Sequence, residues 1–77
     1  MNIQLNDKDK FIDNMNNLGY NTLTDNFLVK QFNDLQINVT YRDNEVTAIT
    51  GYDSQSEVKT IPEDVINQVK EDINNSI

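Results

Sequence analysis

Residues 35–52 read Leu35-Gln36-Ile37-Asn38-Val39-Thr40-Tyr41-Arg42-Asp43-Asn44-Glu45-Val46-Thr47-Ala48-Ile49-Thr50-Gly51-Tyr52, and they decide the fold. Leu35, Ile37, Val39 and Tyr41 alternate with Gln36, Asn38, Thr40 and Arg42, the period of a strand with one buried face. Beyond Asp43-Asn44 a second series, Val46, Ala48, Thr50 and Tyr52, alternates with Glu45, Thr47, Ile49 and Gly51. Asp43-Asn44 suits a type I′ turn between two strands. That turn predicts the pairs Arg42 with Glu45, Tyr41 with Val46, Val39 with Ala48 and Leu35 with Tyr52. Both apolar series then share one face, with Tyr41 and Tyr52 in the core. A slip of one residue would turn a whole series into water.

Working outward, residues 26–32 hold Phe27, Leu28, Val29 and Phe32 and end at Asn33-Asp34, which predicts a preceding strand closed by a turn. Four apolar side chains cannot all face inward from one strand. The excess predicts either a second packed layer or an exposed apolar patch. On the other side, Asp53 to Ser56 reads as a loop and Glu57 to Lys59 as a short extended piece. Thr60-Ile61-Pro62-Glu63 then has the capping-box pattern of a helix start. In that second helix Ile61, Val65, Ile66, Val69 and Ile73 form an apolar stripe opposite Asp64, Gln68, Glu71 and Asn75. A first helix is predicted over about residues 7–18, capped by Asn6 or Asp7 and ended by Gly19, with Phe11, Ile12, Met15 and Leu18 on its apolar side. The expected architecture is one α+β domain over residues 1–77. It runs helix, three-stranded antiparallel meander, helix (αβββα), in two layers with both helices on one face of the sheet.

The 77 residues include no histidine and no cysteine, and 13 acidic side chains stand against 6 basic ones, giving a net charge of −7. Thiol chemistry, imidazole proton transfer and cysteine–histidine zinc sites are excluded at once. The acids lie at turns and on helix faces where water keeps carboxylates ordinary, so a non-enzymatic role without cofactor is expected. Asp53-Ser54-Gln55-Ser56-Glu57 with Asp64 loosely resembles a calcium loop. Val58 stands where such a loop needs glycine and Lys59 falls among the ligands, so a plain polar loop is expected and no metal. No charged segment followed by an apolar run opens the chain, and no stretch approaches the roughly 18 apolar residues of a membrane span. A cytoplasmic protein without membrane contact is the expectation.

An anion of this kind attracts basic surfaces and repels nucleic acid. The candidate partner-binding carboxylates are Asp43 and Glu45 at the hairpin turn, Asp53 and Glu57 in the following loop, and Glu63, Asp64, Glu71 and Asp72 on the second helix. Held on rigid elements, they would occupy a lysine- and arginine-lined groove in place of phosphates. The expected partner is therefore a basic nucleic-acid-binding protein, not nucleic acid itself. A different class of function, an interaction or assembly module, would dock through an apolar edge strand at residues 27–32, with Phe32 as its anchor.

In element order, size and acidity the chain resembles the small acidic anti-CRISPR proteins of phages and mobile elements, in particular inhibitors of type II-A Cas9. The resemblance covers nearly the full length. It implies an inhibitor that imitates DNA and blocks the PAM-reading site of Cas9 or another CRISPR effector. It also implies that Asp43, Glu45, Asp53 and Glu57 belong to the blocking surface.

Overall fold

In a computed structural model describing residues 2–77, the central hairpin is formed by β4 (Leu35–Arg42) and β5 (Glu45–Tyr52). Asp43 turns left-handed at φ +57° while Asn44 does not, so the loop has one such residue where a type I′ turn has two. Arg42 pairs with Glu45 and Tyr41 with Val46, as expected. The register then shifts: Thr40 pairs with Ala48, Val39 with Ile49 and Ile37 with Gly51. Thr47 is the extra residue of a β-bulge, and one extra residue exchanges the faces of everything beyond it. Ile49 and Gly51 therefore share the inner face with Val39 and Ile37. Ala48, Thr50 and Tyr52 lie on the opposite face, which corrects the expected pairing of Val39 with Ala48 and the placement of Tyr52 in the core.

Over the described residues the chain is α+β, with two helices and an antiparallel sheet, but the sheet has six strands where a three-stranded meander was expected. Three of them, β3 (Phe27–Phe32), β4 and β5, are the predicted meander. The others are β1 (Ile3–Gln4), β2 (Asn21–Thr24) and β6 (Val58–Lys59). The order is β1-β5-β4-β3-β2, with β6 also on β5. Every residue of β2 is exposed, and a polar segment with no buried face carries no alternation to read. Because β2 pairs with β3, the Phe27–Phe32 strand is internal to the sheet, and the edge expected there belongs to β2 instead.

Helix α1 (Lys8–Asn17) begins at Asp7, whose carboxylate accepts the Lys10 amide at 3.2 Å, and is followed by Gly19 at φ +97°. Helix α2 (Glu63–Ser76) begins at Pro62 with no side-chain cap, so the expected Thr60–Glu63 capping box does not form. Glu63 and Asp64 in its first turn still face the positive end of the helix dipole.

One core joins the two layers. Phe11 and Met15 of α1 and Val65, Val69 and Ile73 of α2 meet Leu28, Ile37, Val39, Tyr41 and Val46 of the sheet, with Leu5 and Tyr20. Gly51 is placed where α2 is approached: a Cβ there would lie 2.9 Å from Cγ1 of Ile61. No helix among the described residues is long and apolar enough to cross a membrane.

Candidate acidic interface

The β4–β5 loop brings Asp43 and Glu45 together. With Gln4, Arg42, Asn44 and Thr47 they line a shallow polar cleft of about 260 Å³. It exists because β1 lies alongside β5 here, Gln4 opposite Glu45, and because the Leu5 amide donates to the Asn44 carbonyl at 2.7 Å. Asp43 and Arg42 are exposed and Glu45 is half-buried. Arg42 and Glu45 are cross-strand partners, yet no carboxylate lies within ion-pair distance of the guanidinium among the described residues.

Asp53 and Glu57 occupy the opposite end of β5, about 25 Å away at the rise of an eight-residue strand. Asp53 does not project freely. Its Oδ1 accepts the amides of Gln55 and Glu57, both at 2.9 Å, and its Oδ2 lies 3.7 Å from Lys59 Nζ. The Asp53 amide in turn donates to the Glu57 carbonyl. The two amide bonds, led by that from Glu57, together with Lys59, hold the Asp53 carboxyl below its ordinary range. Asp53 is thus the organiser of its loop. Glu57 is exposed.

On α2, Glu63, Asp64 and Glu71 are exposed, but Asp72 is turned into the protein and retains 7% of its surface. Its Oδ2 accepts the Tyr20 hydroxyl at 2.8 Å and its Oδ1 accepts Gln68 Nε2 at 2.9 Å. Burial, followed by this hydrogen bond and the nearby Asp72 charge, pushes the Tyr20 phenol far above its usual value of 10.0. Asp72 therefore leaves the exposed acidic set. Its spacing contained the signal, three residues after Val69 and seven after Val65, which are inward positions of a helix.

Phe32 lies half-buried against the core, its ring 6.4 Å from that of Tyr20. Lys30 Nζ stands over both rings, at 5.2 and 5.1 Å, and donates to the Leu18 carbonyl at 2.7 Å. Phe32 is therefore shielded on the inner side of the sheet and anchors no exposed patch. Tyr20 and Lys30 were not foreseen as partners, because one follows a helix and the other falls inside an apolar strand.

Among the described residues no group of three acidic side chains comes together as a cation cage. Compared with protein-family models, curated proteins and solved structures, the chain finds no match in any of the three.

Proposed function

We propose that the protein is a non-enzymatic acidic inhibitor that occupies the nucleic-acid site of a basic partner, with carboxylates standing where phosphates would lie. One observation carries the reading: of the thirteen acidic side chains, Asp53 alone has a cation within ion-pair distance among the described residues, although six basic side chains are present. The negative field is left uncompensated at the surface, the condition for drawing in a cationic groove and releasing its counterions. Asp43 and Glu45 present charge at one end of the hairpin, with Glu57 beyond the other, and Glu63, Asp64 and Glu71 add charge along α2. Asp53 contributes by fixing the loop that holds Glu57. Asp72 and Phe32 take no part.

The resemblance to anti-CRISPR proteins makes a CRISPR effector the first partner to try. The test is titration of the protein against guide-loaded Cas9 in competition with a PAM-bearing duplex, at 50 and 200 mM salt. A contact of this type weakens by roughly 10-fold or more over that interval when several phosphate-like charges are engaged. Asp43→Asn with Glu45→Gln should weaken binding further at the lower salt. Affinity indifferent to salt and to these substitutions rejects the reading. Salt-sensitive binding to another basic nucleic-acid-binding protein, with none to Cas9, keeps the mechanism and removes the CRISPR effector.

A further inference from the structure

The sheet has a second face that neither helix covers. Cross-strand pairing aligns three rows on it: Phe27, Thr40 and Ala48; then Asn21, Val29, Asn38 and Thr50; then Gln31, Gln36, Tyr52 and Val58. Val29 is buried to 9% exposure yet stands outside the helix-covered core, as expected of a side chain shielded by neighbours on this face alone. Gln36 Nε2 donates to Asn38 Oδ1 at 3.1 Å within the same face. These rows contain no charged residue, in a chain where 25% of residues are charged. Charge returns only at the end of the sheet, where Arg42 pairs with Glu45. The thirteen acids lie on the helices, in the turns and loops, and at that one strand end.

We propose that this neutral face is a self-association surface, through which two copies pack sheet against sheet about a two-fold axis. Charge selects the occupant. Two molecules of net charge −7 repel wherever helices or turns approach each other, and this face lets them meet without opposing carboxylates. A basic partner is drawn to the acidic surfaces and gains nothing here. The chemistry is also self-complementary. Amides and hydroxyls both donate and accept, so Gln36, Asn38, Thr40 and Thr50 satisfy their own copies across a two-fold, which carboxylates cannot do. The bulge at Thr47 builds the face, because it moves Ala48, Thr50 and Tyr52 onto it. Three long strands give a footprint of roughly 25 by 15 Å, about 750 Å² buried over both copies, which is below the range of stable dimers, so the dimer is a weak, concentration-dependent one.

Sedimentation equilibrium of the full chain, from on the order of 10 µM to 1 mM, tests this. A monomer–dimer equilibrium is expected. It should tighten as salt rises, since salt screens the residual repulsion; binding of a basic partner changes in the opposite direction, so the two readings fail separately. Asn38→Lys and, independently, Thr50→Lys set like charges against each other across the axis and should weaken the dimer by roughly 100-fold or more. Both positions face away from the core, so circular dichroism and thermal melting should report folded variants, and only folded variants are scored. Glu63→Gln with Asp64→Asn should leave the dimer intact. A chain that stays monomeric throughout overturns the proposal, as does a dimer that survives both lysine substitutions, which would point to edge pairing through β2.

Discussion

Ile37 and Asn38 are neighbours in β4, and the comparison between them is that between the two faces of the sheet. Ile37 is fully buried among residues from both helices, whereas Asn38 lies half-buried on the face that no helix covers. Packing fills the first face. The second is held by backbone pairing and by amide and hydroxyl groups, such as the Gln36–Asn38 bond. Stability therefore resides in one layer, while the uncovered layer is free to be shaped by association. The largest expected effect follows directly: Ile37→Ala should cost about 2–5 kcal/mol, the range for deleting a buried branched side chain. Asn38→Ala, which removes one half-buried hydrogen bond, should cost only about 0.5–1.5 kcal/mol. Urea unfolding at a concentration where the chain is monomeric measures both, and equal costs would break the contrast.

The inner face is not wholly apolar, which sharpens the comparison. Tyr20 and Asp72 bring a polar pair inside, and among the described residues no buried side-chain polar atom lacks a partner. Tyr20→Phe should cost about 1.5–3 kcal/mol, the range for a hydrogen bond to a charged group. It should also change the response to alkali. The Tyr20 phenol is raised in the folded state, so its contribution is complete below the ordinary value of 10.0 and declines as pH rises above it, where the unfolded chain ionises first. One such phenol removes about 1.4 kcal/mol per pH unit over that range. Urea midpoints at pH 7, 10 and 11 should fall steeply for the parent. The fall should be shallower for Tyr20→Phe, and it remains present because burial and the nearby Asp25 also raise Tyr41. An identical alkaline slope in the two proteins would remove Tyr20 from the stability balance.

Much of this arrangement is legible in residue order. The Asp7 cap, the Gly19 stop and the alternation of β4 rest on local rules and describe real elements. Asn21–Thr24 is not legible, because a polar strand takes its conformation from its partner β3. Charge counting marked where carboxylates lie along the chain but not where their oxygens go. Asp53 is turned back by two amides and Asp72 inward by Tyr20, and both outcomes depend on contacts beyond the residue itself. The bulge left a partial trace. Val46 and Ile49 stand three apart, a spacing at which a regular strand cannot hold both on one face, yet perfect alternation of Val46, Ala48, Thr50 and Tyr52 offered a simpler pattern. Packing resolved the competition in favour of Ile49 over Ala48, with Gly51 in place of Tyr52 where Ile61 comes close.

The smallest expected effect tests the origin of the two faces. If Thr47 is the one supernumerary residue, deleting it leaves Val46 opposite Tyr41 and Ala48 opposite Thr40, and both faces keep their members in a regular ladder. The known loss is a long hydrogen bond, Thr47 Oγ1 to the Thr40 carbonyl at 3.4 Å, with some local twist. Stability should then change by about 1 kcal/mol or less, with amide exchange across Ile49 and Gly51 still slow. Strict alternation predicts a different result. With Ala48 and Thr50 facing inward, removal of Thr47 would send them outward and collapse the hairpin. A folded deletion variant with protected Ile49 supports the bulge, while an unfolded one counts against Thr47 as the supernumerary residue.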